Sequence, residues 1–193
     1  MSVRRIPYGF SMTLPAPRPW AYRWATDYRP EDFELLEMPA HRAVERLTEN
    51  LYLLTDTFDA DPFGTRRAAP SVKEKLVHLY PDRWSWTSTH LSGPARGSQF
   101  VYELFPLGGS RSWFRYSGAQ VERSKGRPTP ASIARRADIL RGEDRRGWRN
   151  LARAMGREYR AASHPGQRTP ESSGVPRSRG RVQARSSSSS TGS

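Results

Sequence analysis

The chain has 193 residues, 32 Lys+Arg against 19 Asp+Glu for a formal net charge of +13, and no cysteine. That length suits one domain with a real core, and the missing cysteines exclude disulfides, thiolate metal sites and cysteine nucleophiles. No 18-residue apolar run occurs and no continuous apolar h-region follows Arg4 and Arg5, which excludes a hydrophobic membrane-spanning helix, argues against a signal peptide and makes a cytoplasmic protein the expectation.

Ile6 to Leu14 alternates, with Tyr8, Phe10, Met12 and Leu14 on one side, and reads as a strand. Pro15, Pro17 and Pro19 end it. Trp20, Ala21, Trp24 and Ala25 fit a short helix face, and Pro30, Glu31 and Asp32 open a second short helix with Phe33 and Leu36 inward and Pro39 closing it. Strands then dominate: Arg42 to Leu47 and Leu51 to Phe58 around the turn Thr48-Glu49-Asn50, then Ser71 to Tyr80, Trp84 to Leu91, Ser98 to Phe105 and Ser112 to Val121. Asp59 to Pro70 reads as a loop. Gly108-Gly109 reads as a hairpin turn, since it lacks the helix start and the lysine of a phosphate loop.

Pro130 to Ala162 closes the ordered chain. Ile133, Ala137, Leu140, Asp144, Trp148, Leu151, Met155 and Tyr159 recur at steps of four and three, which is one face of a helix. Thr129 is a fair N-cap and Pro130 suits a first turn. At 1.5 Å per residue the helix spans roughly 45–50 Å. Gly142, Gly147 and Gly156 each weaken it by about 1 kcal/mol relative to alanine, so packing must hold it. Its other face carries Arg135, Arg136, Arg145, Arg146, Arg149, Arg153, Arg157 and Arg160.

The charge sits at this end. Residues 1–122 hold 15 Lys+Arg against 14 Asp+Glu, residues 123–162 hold 12 against 4, and residues 163–193 hold 5 against 1. Residues 163–193 are rich in Ser, Arg, Gly and Pro, lack aromatics, and are expected to form a disordered basic tail beyond a domain spanning 1–162. A mean hydropathy of −0.80 in a chain with six Trp, eight Tyr and seven Phe fits a polar end attached to an aromatic core.

The expected order is a strand, two short helices, six antiparallel strands and one long helix, an α+β chain. Strands joined by short turns make a curved antiparallel sheet of about seven strands, and the amphipathic helix covers its concave face. This order, with Ala16-Pro17-Arg18-Pro19-Trp20 after the first strand, the acidic Asp27-Tyr28 and the closing helix bearing Trp148, resembles the helix-grip fold of the START/Bet v 1-like (SRPBCC) superfamily, including its polyketide cyclase/dehydrase branch. The resemblance covers about Arg5 to Ala162. It implies a cavity between sheet and helix that holds an apolar or amphipathic small molecule.

Trp84, Trp86, Ser88 and His90 share one face of their expected strand; Tyr102 with Leu104, and Trp113 with Arg115 and Ser117, form similar sets. Turned inward, these faces give a ligand-binding set of Trp84, Trp86, His90, Tyr102, Trp113, Arg115, Asp144 and Trp148. The alternative is a solid core that the tryptophans fill, and a one-residue slip in register reverses every face.

Asp144 falls on the apolar stripe, where a carboxylate raises its pKa or finds a partner. His90 or Arg115 is the expected partner. His90, Asp144 and Tyr102 are the candidates for proton transfer; the structural alternative makes Asp144 an ion pair tying helix to sheet, or an edge residue beside Glu143. His78, His90 and Asp144 are too sparse for a metal site, no Gly-x-Ser-x-Gly elbow accompanies Ser85, Ser88 and His90, and neither metal nor cofactor is expected. Three functions follow as expectations: a carrier or sensor for a lipid or polyketide-like ligand, a cyclase or dehydratase using the same cavity, and nucleic-acid or anionic-membrane binding through the basic helix face and tail.

Overall fold

A computed structural model describes residues 2–30, 32–36, 40–58, 71–124 and 126–163. The expected loop over 59–70 and the expected tail beyond Ser163 lie outside these residues. The elements are β1 (Ser2–Leu14), α1 (Arg18–Ala25), α2 (Asp32–Leu35), β2 (Ala40–Thr48), β3 (Leu51–Phe58), β4 (Ser71–Tyr80), β5 (Ser85–His90), β6 (Gln99–Pro106), β7 (Ser112–Ser124) and α3 (Pro130–Ser163), with a single 3-10 turn at Pro81–Arg83 between β4 and β5.

The seven strands form one antiparallel sheet in the order β1-β7-β6-β5-β4-β3-β2. Sequence neighbours pair throughout except that β7 closes back on β1, so the first and last strands meet and α3 leaves beside β1. The register fixes the inward face. Tyr116 pairs with Phe10 and Tyr102, Trp86 with Tyr102 and Leu79, and His90 with Lys75. Directly paired residues share a face, so one inward set runs across the sheet from Ile6, Tyr8 and Phe10 to Leu54, Asp56 and Phe58.

The stripe on α3 packs as its period requires: Ala137, Leu140, Ala152 and Met155 are buried, and Ile133, Trp148, Leu151 and Tyr159 lie against the core. Two glycines allow the close approaches. A Cβ on Gly156 would stand 2.8 Å from Pro15 Cγ, so its absence lets α3 press on the turn after β1. A Cβ on Gly118 would stand 2.6 Å from the Phe100 ring, which instead lies across β7. Charged clamps hold the ends. Glu122 on β7 accepts from Arg4 at 3.1 Å and from Arg136 at 2.8 Å, joining β1, β7 and α3. Glu158 accepts from Trp24 Nε1 at 2.8 Å and from Arg29 at 3.0 Å, tying α1 to the far end of α3.

Candidate functional site

The concave face carries an aromatic wall that reaches from the sheet to α3. Trp86 and Tyr102 stack with centroids 4.9 Å apart and planes 3° from parallel, and Phe114 meets Trp148 of α3 at 4.1 Å. Trp148 also stands 6.3 Å from Trp86 and 6.1 Å from Tyr102. The middle of the face is therefore occupied by rings, and the polar groups lie on either side of them.

On the β1–β7 side sits Asp144. Tyr8 Oη and Tyr116 Oη both donate to its Oδ2, at 2.7 and 2.8 Å. Burial raises the Asp144 pKa, and the two phenol bonds, with the more distant Lys75, offset part of that rise. Burial, reinforced by the facing carboxylate, pushes both phenols up as well, so they stay protonated and donate. The expected partners are corrected here. His90 belongs to β5, on the far side of Phe100, which lies 5.6 Å from His90 and 5.3 Å from Tyr116. Arg115 faces outward and pairs with Glu103 at 2.7 Å.

On the β2–β5 side a charged cluster lies on the inward face. Asp56 is fully buried and accepts from Arg42 Nε at 2.7 Å and from Lys75 Nζ at 2.7 Å. Burial works against its charge, yet Lys75 and Arg42 outweigh that and hold its carboxyl below the usual range. Tyr102 Oη and Ser88 Oγ share a hydrogen bond of 3.2 Å, and burial pushes the Tyr102 phenol up to about 12. Burial first, then the nearby Lys75 and Lys73, push His90 down to about 3, so its ring is neutral at physiological pH. Its Nδ1 and the hydroxyl of Tyr28 are buried without a hydrogen-bond partner among the described residues.

Of the residues expected at the site, Trp86, His90, Tyr102, Asp144 and Trp148 therefore lie along the concave face, on both sides of the ring wall. Trp84 lies one residue before β5, in a left-handed conformation (φ 52°) that closes the 3-10 turn, and packs 5.7 Å from Tyr22. Trp113 and Arg115 are corrections. β7 has the opposite parity, with Phe114 and Tyr116 inward, leaving Trp113 40 % exposed on the outer face. His78 is on that outer face too, with Tyr80 bonded to its Nδ1 at 3.1 Å. Among the described residues, no group of three His, Asp or Glu is placed to hold a metal and no helix is long and apolar enough to cross a membrane.

Tyr8, Tyr116, Arg42, Asp56, Lys75 and Tyr28 were not anticipated at the site. Asp56 carried a readable signal: it breaks an inward series with Leu54 and Phe58, where a charge needs a partner. Two clefts lie away from this face, one of about 340 Å³ at Asn50 and His78–Arg83, the other of about 880 Å³ between β1 and the arginine face of α3.

No protein-family model and no curated protein matches the sequence. Solved structures do match in shape. The chain is similar to the Zhui aromatase/cyclase from Streptomyces sp. R1128 (TM-score 0.59, 14 % identity, 84 % of this chain and 96 % of that one). It is also similar to the di-domain aromatase/cyclase StfQ of the steffimycin biosynthetic pathway (TM-score 0.61, 12 % identity, 82 % of this chain and 52 % of that one). Norcoclaurine synthase from Thalictrum flavum, solved with dopamine and hydroxybenzaldehyde, matches with a TM-score of 0.57 at 9 % identity, over 82 % of this chain and 90 % of that one. The fold is the helix grip. At these identities the likeness establishes the fold, and the chemistry has to be argued from this chain's own residues.

Proposed function

We propose that the concave face binds an aromatic or amphipathic small molecule between the sheet and α3, as a carrier or sensor. The observation that carries this reading is the ring wall of Trp86, Tyr102, Phe114 and Trp148 flanked by a few converging polar groups. Mostly apolar walls with sparse orienting contacts are what a small-ligand site requires, and burial at about 25 cal/mol per Å² supplies the affinity. The structural neighbours support the same reading, since they are aromatase/cyclases and a synthase solved with two small oxygenated aromatics, dopamine and hydroxybenzaldehyde.

Native mass spectrometry of freshly purified protein, followed by thermal shift with aromatic polyketides and lipids, tests it. A ligand at a hundred times its Kd adds about 2.7 kcal/mol, which at roughly 2–4 °C per kcal/mol for a domain of this size raises Tm by about 5–10 °C. No retained mass and no shift with any of these compounds contradicts the reading.

A second reading, proton-transfer catalysis of the cyclase or dehydratase kind, is favoured by the setting of Asp144: it is partly buried, its pKa is raised, and two phenols orient it. Under that reading Asp144 exchanges protons with the bound molecule while Tyr8 and Tyr116 fix its geometry. Asp144→Asn then abolishes turnover of a polyketide-like substrate in a protein whose Tm and ligand affinity are retained. Retained turnover removes Asp144 from the chemistry.

A further inference from the structure

Tyr28 is one of two non-glycine residues with positive φ among the described residues, at 47°. A left-handed tyrosine is strained, and in this conformation its ring lies 6.1 Å from Tyr52 and its hydroxyl near Tyr102 and Arg42. That hydroxyl is buried without a partner among the described residues, and so is Nδ1 of His90, whose ring lies beside Lys75 across the β4–β5 pairing. Buried polar groups are ordinarily bonded. Two left open on the same end of one concave face point to a ligand group that bonds them.

The charges say which kind. Asp56 is shared by Arg42 and Lys75, two cations on one carboxylate, which leaves the trio one positive charge in excess. Asp32 at 3.8 Å from Arg42, together with Lys73, adds one further charge of each sign at the margin. A phenol that stays protonated donates, and neutral His90 donates from Nδ1 in the corresponding tautomer. Donors in a positive field suit an acceptor-rich, negatively charged group.

We infer that the β2–β5 end of the concave face is a subsite for the anionic head of the ligand, a carboxylate or an acidic enol or phenol, bonded by Tyr28 and His90 in the field of Arg42 and Lys75. This rests on the small-molecule reading above and adds the ligand's polarity: an apolar or aromatic body against Tyr102 and Trp148, the partly buried rings of the wall, with an acidic head toward β2. Tyr28 is the specificity-determining residue, because its hydroxyl bonds no other group among the described residues.

The test uses two fluorescent probes with one body, 8-anilinonaphthalene-1-sulfonate and its uncharged parent N-phenyl-1-naphthylamine, titrated into the full chain. The expected result is at least tenfold tighter binding of the sulfonate. Tyr28→Phe should lower sulfonate affinity at least fivefold, leave the uncharged probe within twofold, and leave Tm unchanged or raised. Arg153→Glu, in the distant arginine cleft, should leave both affinities within twofold. Equal affinity for the two probes overturns the inference and leaves the small-molecule reading standing. So does a Tyr28→Phe protein that binds the sulfonate as tightly as the parent, or loss of the sulfonate preference in Arg153→Glu. If neither probe binds, the small-molecule reading falls and the subsite falls with it.

Discussion

Replacing Tyr8 by phenylalanine removes one of the two phenols that donate to Asp144 and changes nothing in the ring's shape. The lost bond is charge-assisted at 2.7 Å and lies in a partly buried setting, where such bonds contribute about 1.5–3 kcal/mol. The variant should therefore lose about 2 kcal/mol, or roughly 4–8 °C in Tm for a domain of this size. Asp144→Asn provides the control: with the charge gone, the same phenol bond is neutral and contributes about 1 kcal/mol, so the double-mutant cycle should show a coupling of about 1 kcal/mol between positions 8 and 144. The pH dependence carries a sign. Tyr8 lowers an Asp144 pKa that burial has raised, so Tyr8→Phe raises it further. The deficit is then largest at neutral pH and shrinks once the pH falls below the folded-state pKa and Asp144 is protonated. Urea titrations of the four proteins at pH 7 and pH 4 measure all of this. A Tyr8→Phe loss under 0.5 kcal/mol at pH 7, or one that grows on acidification, refutes the assignment of Asp144 as a phenol-bound carboxylate.

Three further outcomes follow. His90 is held at about 3 by burial and by Lys75 and Lys73, against about 6.5 in the unfolded chain. Only the unfolded chain binds its proton between those values, so the residue lowers stability as pH falls through that window and has no effect above it. At pH 4 this amounts to about 3 kcal/mol, and His90→Gln should flatten that part of the urea-midpoint profile; superimposable profiles contradict it. Gly142 has open space where a Cβ would go, whereas Gly156 has Pro15 at 2.8 Å. Gly142→Ala should gain up to about 1 kcal/mol of helix propensity, while in Gly156→Ala an overpacking penalty of about 1–3 kcal/mol outweighs that gain; equal effects on Tm contradict the packing of α3 against the turn after β1. Trp113→Ser, on the outer face, should leave ligand affinity unchanged in the folded protein, and a large fall in affinity contradicts the register of β7.

The long helix was legible because its period repeats over 34 residues and isolated departures average out. The inward face of β5 was legible at Trp86, Ser88 and His90, where the alternation is clean. β7 was not. Phe114 and Tyr116 alternate with Trp113 and Arg115, so both faces carry large side chains, and only pairing with Phe10 and Tyr102 decides between them. Asp144 announced itself as a carboxylate on an apolar stripe. Its partners did not, because Tyr8 lies 136 residues away and passes for an apolar member of β1. The Arg42–Asp56–Lys75 cluster spans three strands, and no local pattern reports which strands become neighbours. The cavity that the resemblance implied is, in its middle, a stack of rings with polar groups on either side.

The most direct measurement is a two-dimensional NMR titration of the full chain with N-phenyl-1-naphthylamine, whose lack of charge removes any pull toward the arginine face of α3. The shifted amides and indole signals should cluster on β5 and β6 around Trp86 and Tyr102, and on α3 around Trp148. Shifts confined to the outer face, to the cleft beside Arg149 and Arg153, or absent at saturating probe contradict a ligand site between the sheet and α3.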